Sequence, residues 1–285
     1  MSRSLLTVST CALVVGFGWF AQSPDERKAW NRAVEPFRVV GNIHYVGAAG
    51  VSAFLIVTPA GSVLLDGGLP ETAPQIAANI SALGFRVTDV KVLLNSHAHW
   101  DHSGGLAELK RLSGGMVVAS AGDAPALRAG HSNSPTVAVD RLVADGDTVE
   151  LGATKLTANV TAGHTKGCTT WSMSAVEDGK PYQVVFYCST SVVDRLVGNR
   201  DYPQIVADYE RSFRRLRAMK ADVFLAPHPA FFELEDKRAR MRPGAANPFI
   251  DPGELGRFVD SSERQFRRQL AEASARASGR RGGQR

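Results

Sequence analysis

Three histidines and one aspartate lie within six residues of this chain, at His97, His99, Asp101 and His102. Imidazole nitrogens and carboxylate oxygens are typical donors for zinc and similar metal ions. A solvated loop has no need of clustered imidazoles, and a hydrophobic core would exclude an aspartate. The segment follows Val90–Asn95, a short apolar run typical of a buried strand. We therefore predict a metal site at the end of that strand.

The spacing of these four residues indicates that they serve two adjacent metal ions rather than one. Alternation along an extended chain sends His97 and His99 to the same side. Asp101 and His102 follow at the point where the chain turns toward a predicted helix. Because two zinc ions each take three protein ligands plus water, four residues are too few. Further ligands must come from elsewhere in the chain.

Two of the remaining histidines lie directly after predicted strands. His164 is flanked by glycines that let backbone and ligands approach closely, and His228 lies between two prolines. A single histidine is more often structural or exposed, but beside the first motif both are predicted metal ligands. His44 lies in the middle of a predicted strand and is interpreted as structural. His131 lies in a polar loop and is interpreted as exposed.

Hydrophobic periodicity places these candidates on a succession of strands and helices. Helices are predicted over Glu71–Leu83, Leu106–Leu112, Ile205–Met219 and, charged and amphipathic, about Pro252–Ala275. Strands are predicted over Phe37–Val46, Ser52–Val57, Ser62–Leu65, Val90–Asn95, Met116–Ser120, Thr148–Val160 (two runs around Gly152), Thr169–Ser174, Gln183–Tyr187 and Val223–Ala226. The order indicates two similar β-rich halves, each covered by helices on its outer side.

The composition is that of an ordinary globular protein. The 285 residues are 44% hydrophobic, which is enough to bury a sizeable core, and the formal net charge is +5. A dispersed excess of this size favours solubility or weak attraction to anionic surfaces. The sequence has no basic stripe interleaved with aromatic residues, so nucleic acid is not an expected partner.

The N-terminus has the pattern of a secretory signal. Arg3 supplies the positive end, and the apolar stretch Leu5–Phe20 follows it. We predict a signal peptide over residues 1–21, with its cleavage site left open, and a single domain over 22–285. An uncleaved anchor is the alternative, although the apolar run is short for a membrane span. The predicted location is the periplasm, with no stable membrane association after the signal is removed.

Two cysteines remain once the predicted signal, which contains Cys11, is removed. In a secreted chain Cys168 and Cys188 permit one disulfide, and two buried free thiols are the alternative. Their separation in the sequence does not decide between these states. We expect the disulfide, because each cysteine flanks a loop that carries candidate site residues.

The residues described so far resemble the metallo-β-lactamase superfamily, whose hallmark is His-x-His-x-Asp-His, and within it subclass B3. The resemblance runs from about Phe37 to the C-terminal helix. It implies an α+β fold, the αββα sandwich, in which two sheets are flanked by helices and the metal site lies at the sheet edge. It also implies two zinc ions. The first would be held by His97, His99 and His164, and the second by Asp101, His102 and His228.

The same resemblance suggests roles for residues beside the metals. Asp66 matches a family position where a carboxylate orients a ligand by hydrogen bonding, and a turn aspartate is the alternative. Glyoxalase-type and lactonase-type relatives place a metal-bridging aspartate where this chain has Ser189 and Ser191. Serines there resemble subclass B3, in which they help to receive substrate, unless they only cap the strand end. Asp194 would bridge the metals only if the alignment were shifted.

Trp100 departs from the family pattern, because a smaller or aliphatic residue is expected inside the motif. A large aromatic ring beside the metals either narrows the site and stacks on substrate, or packs against a neighbouring loop. The sequence favours neither possibility.

The resemblance implies a monomeric periplasmic enzyme that hydrolyses the β-lactam amide bond of penicillins, cephalosporins and carbapenems and so confers resistance. Metal-bound hydroxide, positioned by Asp101, would attack without forming an acyl-enzyme. One alternative is another hydrolase of this fold, acting on a lactone, thioester or phosphodiester. A further alternative is a non-catalytic zinc-binding protein of the periplasm.

Overall fold

The computed structural model describes residues 24–130 and 134–282. The predicted signal peptide, over 1–21, and His131 lie outside these described residues. Within them, no helix combines the length and the apolar character that crossing a membrane requires.

The N-terminal sheet has seven strands that lie side by side in sequence order. Its first four strands pair antiparallel, and β4 to β7 pair parallel. Its strands are β1 (Phe37–Val40), β2 (Ile43–Tyr45), β3 (Phe54–Thr58), β4 (Gly61–Leu65), β5 (Val90–Leu94), β6 (Met116–Ser120) and β7 (Arg141–Val143).

The C-terminal sheet has five strands in the order β12-β11-β10-β9-β8. All its pairs are antiparallel except β11 with β12, which are parallel. Its strands are β8 (Thr148–Leu151), β9 (Thr154–Val160), β10 (Thr169–Glu177), β11 (Lys180–Phe186) and β12 (Val223–Leu225).

Eight helices and three short 3₁₀ turns complete the described residues. The helices are α1 (Pro24–Trp30), α2 (Ala73–Ala82), α3 (Trp100–Ser103), α4 (Leu106–Ser113), α5 (Ala124–Ala129), α6 (Ile205–Ala218), α7 (Leu234–Arg240) and α8 (Glu254–Gly282). The 3₁₀ turns are Pro70–Thr72, Val87–Asp89 and Pro229–Phe232.

Successive side chains along the strands of the N-terminal sheet face alternately into two cores, and this alternation creates the layers. Val63 and Leu65 of β4 face the core shared by the two sheets, where the rings of Phe54 and Phe186 lie 5.3 Å apart. Leu64 faces the opposite way, into a second core that includes residues of α2 and α4. On the other side of the molecule, α6 and α8 pack together through aromatic side chains. The predicted αββα sandwich is confirmed.

Several local boundaries differ from the sequence prediction. The single strand expected over Phe37–Val46 is two strands, because Gly41 takes a φ of 52° and the chain reverses there. The helix expected over Glu71–Leu83 begins with the 3₁₀ turn Pro70–Thr72 and is α-helical only from Ala73. Neither difference moves a predicted site residue out of its loop.

Candidate metal centre

The chain reaches the site at the ends of β4 and β5, which run parallel. β5 ends at Leu94, an irregular segment with bends at Ser96 and Ala98 follows, and α3 begins at Trp100. Asp66, just after β4, has a φ of 64° and accepts hydrogen bonds from the backbone N–H of Ser96 (2.7 Å) and from Asn95 Nδ2 (3.3 Å). The carboxylate therefore holds the backbone one residue before the first histidine of the motif.

The structure brings together the three histidines predicted for the first zinc. His164 Nε2 lies 3.2 Å from His97 Nε2 and 3.0 Å from His99 Nδ1. The donor atoms of all three lie within 4.8 Å of one another. His97 is buried, and the other two are partly exposed. This is a compact group of three nitrogens that opens toward solvent on one side.

The hydrogen bonds of the outer ring nitrogens show that this group suits a cation. His164 Nδ1 lies 2.8 Å from the carbonyl oxygen of Ser191, so it carries the proton, and its Nε2 presents a lone pair. His97 Nδ1 lies 3.0 Å from Ser96 Oγ, so the other ring nitrogen, Nε2, is the one that faces His164. Lone pairs that converge at this distance repel each other unless a positive charge lies between them.

The second predicted group is equally compact. Asp101 Oδ2 lies 3.1 Å from His102 Nε2 and 3.6 Å from His228 Nε2. His228 Nδ1 donates to the carbonyl oxygen of Gly50 at 2.9 Å, which again leaves Nε2 as the inward donor. The two groups adjoin, since the rings of His97 and His102 are centred 4.3 Å apart. Each group offers three donors, the number that a catalytic zinc takes from protein.

Burial sets the protonation of these side chains in a way that suits metal binding. Burial lowers the pKa of His97 and His164 well below the usual value and that of His228 to about 4, so their rings are neutral at pH 7. Burial alone would raise the pKa of Asp101, but His102 beside it holds that pKa well below its usual range. His97, His164 and His228 therefore offer neutral imidazoles and Asp101 an ionised carboxylate, which are the forms that bind metal. The pKa of His102 is instead raised by the carboxylate of Asp101 beside it, so a metal ion bound there would displace its proton.

Asp66 lies near this centre, but its hydrogen bonds go to the backbone and to Asn95 rather than to an imidazole. Burial raises its pKa to about 6, against the opposing influence of His102. The position is compatible with the predicted orienting role, acting through the loop that carries His97.

Ser189 and Ser191 lie in the loop after β11, which ends at Phe186 rather than continuing to the serines. Ser189 is buried, and its hydroxyl accepts the backbone N–H of Ser191 at 3.1 Å. Ser191 is partly exposed, and its carbonyl oxygen receives both His164 Nδ1 and the hydroxyl of Tyr209. The loop therefore contacts the first metal group through its backbone, and Ser191 is the better placed of the two to meet a substrate.

Asp194 does not join either metal group. It is exposed, and its carboxylate accepts hydrogen bonds from the backbone N–H of Arg195 and from Asn199 Nδ2. Lys166 is also exposed, with its ammonium 5.7 Å from the centre of the Tyr202 ring. Within residues 24–130 and 134–282, Asp101 is the only carboxylate in the two groups.

Trp100 packs against neighbours on the side where α1 lies. It joins a small apolar cluster with Trp30, and the Arg27 guanidinium lies 4.9 Å from its ring centre. Trp30 in turn lies 5.1 Å, ring centre to ring centre, from His228. The structure thus shows Trp100 packed against a neighbouring segment, and stacking on a substrate stays a prediction.

Cys168 and Cys188 form a disulfide with Cα atoms 5.8 Å apart. Cys168 follows His164 by four residues, and Cys188 directly precedes Ser189. The bridge therefore joins the loop that carries a predicted ligand of the first metal to the loop whose carbonyl oxygen orients it.

Sequence reasoning missed three groups at this centre: the carbonyl oxygens of Gly50 and Ser191 and the carboxylate of Asp123. Every residue has a carbonyl, so residue types carry no signal for the first two. Asp123 is a single aspartate after a predicted strand, and only the folded chain shows which segments it contacts.

An αββα sandwich with two three-donor groups at the ends of its strands defines a metallohydrolase fold. The chain belongs to the metallo-beta-lactamase superfamily, whose family model matches residues 46–228. The predicted resemblance to subclass B3 is also confirmed, because similar solved structures include enzymes of that subclass.

Two solved structures illustrate the similarity. The subclass B3 metallo-beta-lactamase BJP-1 of Bradyrhizobium japonicum is 43% identical with a TM-score of 0.85, and the match covers 88% of this chain and 98% of that one. The FEZ-1 metallo-beta-lactamase from Legionella gormanii is 36% identical with a TM-score of 0.83, and the match covers 85% and 98%.

Curated relatives with a different activity match over a shorter stretch. A hydroxyacylglutathione hydrolase of Rhodospirillum rubrum is 35% identical over 98 residues, which is 34% of each protein. The corresponding protein of Jannaschia sp. is 34% identical over 115 residues, 40% of each. The chain thus spans only about a third to two fifths of the length of these curated relatives.

Proposed function

We propose that this protein hydrolyses the β-lactam amide bond of antibiotics with two zinc ions. The proposed ligands are His97, His99 and His164 for the first ion and Asp101, His102 and His228 for the second. The proposal is supported by the share of this chain that each group of similar proteins covers. Matches to the two metallo-beta-lactamase structures cover at least 85% of this chain, whereas those to the two hydroxyacylglutathione hydrolases cover at most 40%.

The observation that carries the choice of substrate is the loop after β11. Relatives of the glyoxalase and lactonase types are expected to place a metal-bridging aspartate in this region, and here Ser189 and Ser191 occupy it. Asp194, the nearest later aspartate, is exposed and bonded within its own turn. In the described part of the chain, no carboxylate is shared by the two donor groups.

The side chains of the site have complementary tasks in this reaction. Zinc, when bound, would polarise the lactam carbonyl and activate water at neutral pH. Asp101 is ionised and lies beside His102 and His228, so its carboxylate can accept a hydrogen bond from the attacking water and orient it. Ser191 is partly exposed, so its hydroxyl can donate to the carboxylate of the antibiotic. Because water is the nucleophile, the reaction needs no acyl-enzyme.

Comparative kinetics test this proposal. The zinc-loaded protein is assayed with nitrocefin, a penicillin and a carbapenem, and in parallel with S-lactoylglutathione and a lactone. We expect kcat/KM for at least one β-lactam above roughly 10⁴ M⁻¹s⁻¹, with the thioester and the lactone lower. Chelation should abolish the activity, and serine-directed inhibitors should not affect it. Preference for the thioester or the lactone would reject the β-lactamase assignment.

The second candidate function is thioester hydrolysis, which the similarity to hydroxyacylglutathione hydrolases favours. The same assay decides between the two. Zinc bound without turnover of any acyl substrate would support the remaining possibility, a non-catalytic zinc-binding protein.

We also propose that residues 1–21 direct secretion to the periplasm and that 22–285 is a single monomeric domain. The mass of the protein isolated from a periplasmic fraction gives the cleavage site, and sedimentation gives the oligomeric state. Recovery from the membrane fraction with an intact N-terminus would reject the cleaved signal. Expression in a susceptible bacterium should raise its resistance to β-lactams.

A further inference from the structure

Asp123 is a buried carboxylate that belongs to neither donor group. It lies in the turn between β6 and α5, with only 3% of its surface exposed. Burying a charged group is costly unless hydrogen bonds compensate it. Its partners therefore indicate why the chain keeps an aspartate there.

The carboxylate of Asp123 accepts three hydrogen bonds from two separate segments. Oδ2 accepts the backbone N–H of Ala98 (2.9 Å) and the hydroxyl of Thr165 (2.7 Å). Oδ1 accepts the backbone N–H of Gly167 (2.8 Å). Ala98 lies between His97 and His99, and Thr165 directly follows His164. One side chain thus connects the two segments that supply all three donors of the first group.

The turn that carries Asp123 packs closely against the loop that contains Thr165 and Gly167. Ser120 Oγ donates to the carbonyl oxygen of Gly167 at 2.6 Å. A Cβ atom on Gly167 would overlap Ser120 Oγ and the backbone nitrogen of Asp123. The loop therefore has little freedom to move away from the turn, and the carboxylate holds it in a fixed position.

We propose that Asp123 is a positioning residue that sets the spacing of His97, His99 and His164 for the first metal ion. The inference rests on the proposed two-metal function. A carboxylate can accept hydrogen bonds from Ala98, Thr165 and Gly167 together, because both of its oxygens are acceptors. An asparagine has only one accepting oxygen. Its NH₂ group would face an N–H or O–H group that also donates, so at least one hydrogen bond would be lost.

In the second group, His228 is oriented through Gly50 instead, and Asp101 and His102 lie in α3, beyond the residue that Asp123 contacts. This group should therefore depend much less on Asp123.

The test measures zinc affinity in two backgrounds that each retain one donor group. In a His228→Ala background, which leaves the first group complete, Asp123→Asn should raise the zinc Kd by roughly 10–100-fold. In a His164→Ala background, which leaves the second group complete, the same substitution should change Kd less than about threefold. Asp140→Asn is the matched control, because Asp140 accepts the backbone N–H of Val117 and the Lys110 ammonium away from the metal groups.

Two outcomes would overturn the proposal. One is unchanged zinc affinity in the His228→Ala background together with a lower Tm of the metal-free protein, which describes a purely structural aspartate. The other is an equal loss of affinity in both backgrounds. If Asp123→Asn does not fold, Thr165→Val removes one of the three hydrogen bonds and should raise the first-group Kd by roughly 3–10-fold. No change in that Kd would overturn the proposal.

Zinc affinity does not depend on which substrate is hydrolysed. A protein that prefers thioesters would therefore reject the proposed function while leaving the result for Asp123 intact. A wild-type protein that binds no zinc would overturn both.

Discussion

Individual side chains of the metal centre are fixed by hydrogen bonds on the side away from the metals. His164 donates to the carbonyl oxygen of Ser191, and His228 donates to that of Gly50. Each bond selects the tautomer whose inward nitrogen carries the lone pair. The backbone of two loops, rather than any recognisable motif, therefore prepares these imidazoles for a metal ion.

Replacing both serines of the loop after β11 tests their proposed role in substrate binding. Ser189→Ala/Ser191→Ala should raise KM for a β-lactam much more than it lowers kcat, because contacts made equally in ground and transition states act on KM. Hydrogen bonds to a charged group are worth about 1.5–3 kcal/mol each, so an increase of roughly tenfold or more is expected. Zinc content should be unchanged.

Ser174→Ala, an exposed serine on β10, is the control for this double variant. Loss of zinc from the double variant would contradict the substrate-binding role. Because Ser189 Oγ holds the N–H of Ser191, that result would indicate that the serines support the backbone that orients His164.

Residue types alone predicted the six candidate ligands, and the structure brings them into two groups of three. Clustered histidines with an aspartate are rare enough to be informative without a structure. The orienting roles of the carbonyl oxygens of Gly50 and Ser191 and of the Asp123 carboxylate could not be predicted in this way. Their contribution depends on long-range contacts of the folded chain, up to 178 residues apart in sequence.

Among the structural elements, the loops at the strand ends are joined by the disulfide between Cys168 and Cys188. The bridge closes a loop with a sequence separation of 20 residues. Replacing both cysteines with alanine should lower the free energy of unfolding by about 2–4 kcal/mol, measured by denaturant titration. Unfolded, unreduced protein without its signal should show no titratable thiol, and two thiols would contradict the pairing.

Helix α1 lies against the second metal group, and the sequence did not predict it. It has only seven residues and no buried side chain, so hydrophobic periodicity gives no signal. Its last residue, Trp30, packs near His228, and its carbonyl oxygen accepts the N–H of Gly50 at 2.9 Å. The helix thus contacts both a predicted ligand and the residue that orients it.

Trp30→Ala should loosen the second donor group while leaving the first intact. Because the backbone hydrogen bond to Gly50 remains, we expect the second zinc Kd to rise by less than the roughly 10–100-fold typical when a supporting hydrogen bond is lost. Zinc competition titrations measure both sites, with Lys28→Ala, an exposed residue of α1, as the control. A rise in zinc Kd confined to the first site would contradict the inference that Trp30 supports the second donor group.

At the scale of the whole molecule, the order of the predicted strands and helices, together with the family resemblance, predicted the layers correctly. Strands such as β4 bury residues on both faces, so two cores form on either side of one sheet. Short elements escaped prediction, since α5 has six residues, α7 has seven and β7 has three. Such segments are shorter than the window over which helical periodicity can be recognised.

The fold explains how six donors from three separate segments of the chain meet at one place. Asp66 and the motif from His97 to His102 follow parallel neighbours β4 and β5, and His164 and His228 follow β9 and β12 of the other sheet. The ends of both sheets thus converge on the same edge of the sandwich. Two metal ions at this edge, acting on a β-lactam, are the central claim.

Titrating zinc into the metal-free protein, with bound zinc and nitrocefin turnover followed together, tests that claim most directly. Six donors in two groups predict a saturating stoichiometry of two zinc ions per chain. Turnover should rise as zinc binds, and removal of the metal by a chelator should abolish it reversibly. A stoichiometry that stays at one or below, or a zinc-saturated protein that hydrolyses S-lactoylglutathione but not nitrocefin, would contradict it.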